Sequence, residues 1–315
     1  MAFTSDPDME GRRLVQVLTR KYLVPVTAIP HHRHVTVRSQ SAALHNAGDT
    51  PIAGLLRGVD QRFDARFQDD SRWRGRRVLA VDGSHVTLQR SPELFRAFRC
   101  AQGAHNPQAR VSVLIDVVSK VPIDVAVAPY QASERHILTE QRLQHVRPGD
   151  VVVLDRGYPG SNEMASLLAA GVDFVVRVSV SGTFAAVEEF AQCDRAADRE
   201  LVIDPSQVAA NREPIRVRAV RSARPNNEDT ILLTTLRDVD GFSRTDIEQL
   251  YRMRWESEEH YNRLKSDYMA QGQLHARTAL GVHQEIAAIM VFHGLSQLVL
   301  AAAAAESSWP FLELS

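Results

Sequence analysis

From residue 78 onward, short apolar runs alternate with polar breaks, and the period of that alternation predicts most of the elements of the chain. "RRVLAVDGSHVTL" (76–88) has the rhythm of a β run, broken at Asp82-Gly83. "ARVSVLIDVVSKVPIDVAVAPY" (109–130) reads as two strands joined by a turn at Ser119-Lys120, and "SERHILTEQRLQHVRPGD" (133–150) as a capped helix ending before Pro148. "VVVLD" (151–155) opens with four consecutive apolar residues, the signature of a strand buried on both faces. The turn "RGYPGS", the helix "NEMASLLAAG" and the strand "VDFVVRVSV" follow it. Strand, turn, helix and strand in that order make a parallel α/β unit. Between about 180 and 240 the runs "ELVID", "PIRVRAVRS" and "TILLTTL" predict a β-rich insertion, and two long helices, about 244–268 and 280–305, close the chain. Residues 10–70 read as short amphipathic helices joined by polar loops.

The chain has 315 residues and a mass of 35.1 kDa, enough for a substantial core. This divides into a helical N-terminal region (1–74), with DNA contacts expected from it, and an α/β domain (75–315) carrying the insertion. A formal net charge of −1 excludes a general polycation, so any nucleic-acid binding must come from local basic patches. Two cysteines, Cys100 and Cys193, are too few for a disulfide framework or a four-thiolate zinc site, and a reducing cytoplasm is expected. The polar N-terminus lacks the apolar core of a signal peptide. "IAAIMVFHGLSQLVLAAAAA" (286–305) approaches the length of a membrane span, yet it holds His293, Ser296 and Gln297 and lacks flanking Lys/Arg clusters. A buried core helix with no membrane partner is the expectation. His31, His32 and His34 have no second cluster at ligand spacing, which favours a solvated loop over a metal site.

Candidate chemistry begins with two acidic residues at the carboxyl ends of apolar strands, Asp82 after "VLAV" and Asp155 after "VVVL". Open α/β sheets bind ligands at that edge. Each also has a plain reading, Asp-Gly as a hairpin turn and Asp-Arg-Gly as a turn opener. The helix "YRMRWESEEHYNRLKSD" (251–267) interleaves aromatic and charged residues. At ~100° per residue from Tyr251, Arg254 falls at about 300°, Glu258 at about 340° and Lys265 at about 320°. Asn262 and Trp255 lie beside them, whereas Leu250, Met253 and Leu264 form a separate packing side. One carboxylate flanked by two cations, a phenol and an amide suits a divalent ion and DNA phosphates together. The alternative is a solvated helix held by Glu/Arg pairs. In the insertion, "NREPIRVRAVRSAR" (211–224) sets five arginines against one glutamate, with Arg216 and Arg218 alternating onto one face of a strand. That face reads either as a phosphate-contacting surface or as an edge strand protected by charge.

The spacing Tyr251-x2-Arg254-x3-Glu258-x6-Lys265, preceded by "DRGY" (155–158) and "VDGS" (81–84), resembles the insertion-sequence-four family of bacterial DDE transposases over roughly residues 75–300. The resemblance implies a ribonuclease-H-like fold, a mixed sheet flanked by helices with a β-rich insertion before the last catalytic helix. It implies that Asp82, Asp155 and Glu258 hold Mg²⁺, with Mn²⁺ as a substitute, for two-metal phosphoryl transfer. Tyr251, Arg254, Asn262 and Lys265, with Arg156 and Tyr158 of "DRGY", then contact DNA, joined by Arg216 and Arg218 of the insertion. The implied partners are double-stranded DNA, as terminal inverted repeats and as target, and a second copy of the chain in a synaptic dimer. Relatives often cut through a hairpin intermediate held by a tryptophan in the insertion. Here the tryptophans are Trp73, Trp255 and Trp309, so Phe184 or Phe190 would have to serve instead. Two alternatives stand beside this reading: a transposase-derived DNA-binding regulator that does not cut, and a stand-alone metal-dependent nuclease.

Overall fold

The computed structural model describes residues 50–192, 197–204, 213–222, 230–255 and 274–307. The run "VLAVDGSHVT" does not break at Asp82-Gly83, as the turn reading required; β1 passes straight through it, Val78–Thr87. Antiparallel pairing with β2 (Gln108–Asp116) holds it in line, Asp82 opposite Val113 and Gly83 opposite Ser112. The expected turn then leads to β3 (Pro122–Pro129). Asp116 Oδ1 accepts from the amides of Val118 and Ser119, at 3.0 and 2.9 Å, and Lys120 takes a positive φ of 58°. The side chain thus satisfies amides that a tight turn leaves without ladder partners.

β4 (Val151–Leu154), the helix Ser161–Ala169 and β5 (Asp173–Val178) form the expected parallel unit, with every residue of β4 buried. Between β3 and β4 the helical segment departs from expectation. It begins as one α turn at Glu134–Ile137, widens to a π-helix at Leu138–Arg142 and ends as a 3₁₀ turn at Leu143–His145. Ser133 occupies the N-cap position without a side-chain cap. Arg142 lies fully inside, bonded to the Asp124 carboxylate and the Ser112 carbonyl.

The insertion contributes β6 (Asp198–Ile203), β7 (Ile215–Ser222) and β8 (Thr230–Thr234), as the runs predict, plus a helix at Ala185–Gln192 that the pattern did not mark. These strands do not form a sheet of their own. They extend the same one, in the order β3-β2-β1-β4-β5-β8-β7-β6, with β8 antiparallel to β5. The first five strands, antiparallel through β3-β2-β1 and parallel through β1-β4-β5, give the ribonuclease-H-like α/β arrangement.

Helices, numbered α1 (Thr50–Phe67), α2 (Pro92–Phe98), α3 (Glu134–Ile137), α4 (Ser161–Ala169), α5 (Ala185–Gln192), α6 (244–255) and α7 (Ala279–Ser307), cover both faces of the sheet. One face packs Ala80, Val113 and Val153 against Ile247 and Leu250 of α6 and Ile286 and Met290 of α7. The other packs Leu79, Leu154 and Val176 against Leu138, Met164 and Leu167. α7 is long and apolar enough to cross a membrane by length and composition. Here it lies on α1 and β3, with His293 bonded to the Lys120 carbonyl at 3.1 Å and Gly294 facing Val59 where the two helices approach. α1, grouped by sequence with the N-terminal region, therefore packs with the sheet. The histidines 31, 32 and 34, Cys193, Trp309 and the second half of the helix 244–268 lie outside the described residues.

Candidate active site

Strand alternation decides which way the two aspartates point. Val78 and Ala80 belong to the α6 face of the sheet, so Asp82, two positions on, shares it; Val151 and Val153 do the same for Asp155. β1 and β4 run parallel, with Val78 beside Val151 and Ala80 beside Val153. Carried two residues further, that register sets Asp82 next to Asp155 at the interstrand spacing of about 4.8 Å. Both aspartates thus follow adjacent parallel strands onto one face of the sheet at its carboxyl edge, the expected place for a ligand.

α6 reaches the same edge. Tyr251 Oη donates to Asp155 Oδ1 at 3.2 Å, and Arg254 Nη2 lies 3.8 Å from the same oxygen. The Arg254 guanidinium also sits over the Tyr251 ring, 5.7 Å from its centroid, and the residue is 6 % exposed. Burial raises the Tyr251 pKa; Arg254 opposes that rise and the Asp155 carboxylate adds to it, so the phenol remains a donor at neutral pH. The first part of the signature helix therefore packs onto the second aspartate. Glu258, Asn262 and Lys265 lie outside the described residues.

The other expected DNA contacts divide by burial. Arg156 is exposed beside Asp155, and Arg216 projects from β7 with 68 % of its side chain exposed, 3.5 Å from Glu200. Arg218 shares that face but is covered there. It is 3 % exposed, bound to Asp198 with Nε at 3.0 Å from Oδ2 and to the Phe242 carbonyl, so its charge is spent inside the protein. Tyr158 is also 3 % exposed, packed with Leu154 and Met164 in the core, and cannot present its ring to a duplex. Phe190 is fully buried beneath Arg221, which removes it as a base-stacking platform; Phe184 packs against the same core, partly exposed. Trp255 stands 62 % exposed on α6.

Three charged residues near the aspartates carried no sequence signal. Arg177 follows Val176, the partner of Leu154, at the carboxyl end of β5, and its charge acts on Tyr251. Glu134 opens α3 and pairs with Arg110 of β2. A methyl group built on Gly83 would lie 2.8 Å from Glu134 Oε1, and one on Gly157 would lie 3.7 Å from Oε2. An open cleft lined by Ser166, Asp173, Arg216 and Arg237 lies away from these residues; an exposed strand edge, not a deep cavity, is what a duplex can reach.

The donor set suits a hard divalent cation, since both aspartates offer oxygen. Among the described residues no three His, Cys, Asp or Glu side chains converge as a complete metal cage, and Glu258 is not among them. The buried Tyr158 hydroxyl, whose main charged neighbours are Glu134 and Asp82, has no hydrogen-bond partner among the described residues.

The mixed sheet, antiparallel through β3-β2-β1 and parallel through β1-β4-β5 with helices on both faces, is of the ribonuclease-H-like class, and the two aspartates lie at its carboxyl edge. Within that class, the family model for the transposase DDE domain matches residues 73–293, and the chain belongs to this family. Among curated proteins none matches the chain. Among solved structures, a cryo-EM structure of the piggyBac transposase synaptic complex with hairpin DNA is similar at a TM-score of 0.43 and 10% identity. The similarity covers 70% of this chain and 48% of that one, so this chain spans about half the length of that relative.

Proposed function

We propose that the chain is the transposase of a bacterial insertion sequence, of the insertion-sequence-four type, and that it binds the element's terminal inverted repeats and cleaves and joins DNA there. The observation that carries the reading is the Tyr251–Asp155 hydrogen bond, which joins the signature helix to the second aspartate across 96 positions of chain. A plain turn aspartate has no reason to meet the tyrosine of that signature.

In this reading Asp82, Asp155 and Glu258 would hold Mg²⁺, which would supply the activation of the attacking oxygen and the stabilisation of the leaving one. Tyr251 holds Asp155 in one rotamer through its hydroxyl, and Arg254 restrains the same oxygen by charge. The half-exposed Arg177 and the exposed Arg156 and Arg216 offer cations to the DNA backbone, with Asn262 and Lys265 extending the helix's contribution. Tyr158 and Arg218, being buried, are left out of the DNA-contacting set. The partners are the repeat duplex, the target duplex and a second copy of the chain.

The test is cleavage of a labelled duplex carrying the element's terminal repeat, with and without Mg²⁺, beside Asp155→Asn and Glu258→Gln variants. Metal-dependent cleavage at the repeat boundary, lost in both variants, is the expected result. Specific binding with no cleavage by the wild-type protein would favour a DNA-binding regulator, and cleavage indifferent to the repeat would favour a nuclease.

A further inference from the structure

Two glycines follow the two aspartates closely, Gly83 in "DGS" and Gly157 in "DRGY". Neither has a positive φ, so turn geometry does not require them. Space does. The Glu134 carboxylate lies against both, and a methyl at Gly83 would meet Oε1 at 2.8 Å, closer than real side-chain carbons approach an oxygen. β1 runs on past Asp82 while β4 ends at Leu154, so the strand edge beside Gly83 is left open, and the start of α3 closes over it. The next residue fastens the same place, since Arg135 Nε donates to the Gly157 carbonyl at 2.9 Å.

The charge pattern is as specific as the packing. Arg110, on β2 opposite His85, pairs with Glu134 on the sheet face that Gly83 presents, the face opposite the one Asp82 shares with α6. The Tyr158 hydroxyl, 3 % exposed and without a partner among the described residues, has Glu134 and Asp82 as its main charged neighbours. A buried donor beside two carboxylates marks this junction as more than apolar packing. No three acidic side chains converge there among the described residues, so Glu134 is not a third ligand alongside the two aspartates.

We infer that Glu134 is a positioning residue of the cation site: held by Arg110, it seats against the glycines that follow Asp82 and Asp155 and fixes the spacing of the two aspartates from the far face of the sheet. The inference rests on the reading of Asp82 and Asp155 as cation ligands. If Glu134 loses its charge, it loses its ion pair with Arg110, and the two strand ends lose a common anchor. That weakens cation binding while leaving the carboxylate ligands in the chain.

The experiment is direct Mn²⁺ binding to the full chain, with free Mn²⁺ counted by electron paramagnetic resonance, together with the melting temperature of each variant. Glu134→Gln keeps the shape and removes the charge. It is expected to raise the Mn²⁺ half-saturation about ten-fold, the scale seen when an outer partner of a metal ligand is lost, at a melting temperature close to wild type. Glu134→Asp, which keeps the charge, is expected to recover part of that loss. Should Glu134→Gln fail to fold, Gly83→Ala carries the test by pushing the carboxylate off its seat, with a shift in the same direction. Wild-type Mn²⁺ binding in Glu134→Gln, with binding lost in Asp155→Asn, overturns the inference and leaves the two-aspartate site standing. Wild-type binding in Asp155→Asn overturns the site itself and the inference with it.

Discussion

Replacing Tyr158 by Phe removes one buried oxygen and nothing else. The ring packs among Leu154, Met164 and Leu138, and the residue is almost wholly enclosed, so the phenyl keeps its contacts. The hydroxyl finds no partner among the described residues, and a buried hydroxyl without one costs about 1–3 kcal/mol. Burial, reinforced by Glu134 and Asp82, pushes its ionisation far upward, so the group stays a neutral donor from pH 6 to 9 and cannot escape the cost by titrating. After allowing for the few contacts the oxygen makes, the gain in Tyr158→Phe is about 1–2 kcal/mol. At about 2–4 °C per kcal/mol for a chain of this size, the melting temperature rises by about 2–8 °C. Differential scanning calorimetry without added metal measures it. A melting temperature below wild type would refute the reasoning, since it would mean that the hydroxyl already contributes a hydrogen bond.

Two further outcomes follow from named groups. Burial raises the Asp116 pKa to about 6 from 3.8, against the opposing turn amides and Arg72, so the folded state holds the proton more tightly than the unfolded one. Wild-type stability is therefore lost as pH rises from about 4 through 6. Asp116→Asn, which still accepts from Val118 and Ser119, should gain on wild type by about 1–3 kcal/mol between pH 4 and 7.5 in urea titrations, and a constant difference would contradict it. Tyr251→Phe deletes the donor to Asp155 Oδ1, and a bond to a charged acceptor is worth about 1.5 kcal/mol or more. Single-turnover cleavage should drop about ten-fold with repeat binding nearly intact; an unchanged rate would remove Tyr251 from the site.

The parts of this molecule legible in its sequence are those where local pattern and tertiary environment agree. "VVVL" is apolar throughout because β4 is covered on both faces, so both its strand character and the position of Asp155 could be read directly. Asp82-Gly83 misled because the dipeptide favours a turn locally, whereas seven pairs with β2 before and beyond it keep β1 extended and the glycine instead makes room for Glu134. Arg216 and Arg218 obey strand alternation, yet one is exposed and the other enclosed, because Asp198 and the Phe242 loop cover only Arg218. Glu134 is a lone acid at the start of a short helix, and nothing nearby in sequence announces that Arg110, Gly83 and Gly157 meet it.

The insertion changes what the site can be. A β-rich segment hung on a flexible neck could carry its arginines independently of the aspartates, but β8 is hydrogen-bonded to β5 from Val175 through Val178, and β7 to β8 from Arg218 through Ser222. One ladder thus runs from Asp82 on β1, through Asp155 after β4 and Arg177 on β5, to Arg216 on β7. Sheets of this kind resist shear between neighbouring strands, because a slip of one residue would turn every buried side chain to the wrong face. Five of five residues of β8 are buried, which makes such a slip especially costly at the join between the two halves. The distance from the carboxylate pair to the arginine edge is therefore set by strand count, and a duplex that touches both must fit that fixed span.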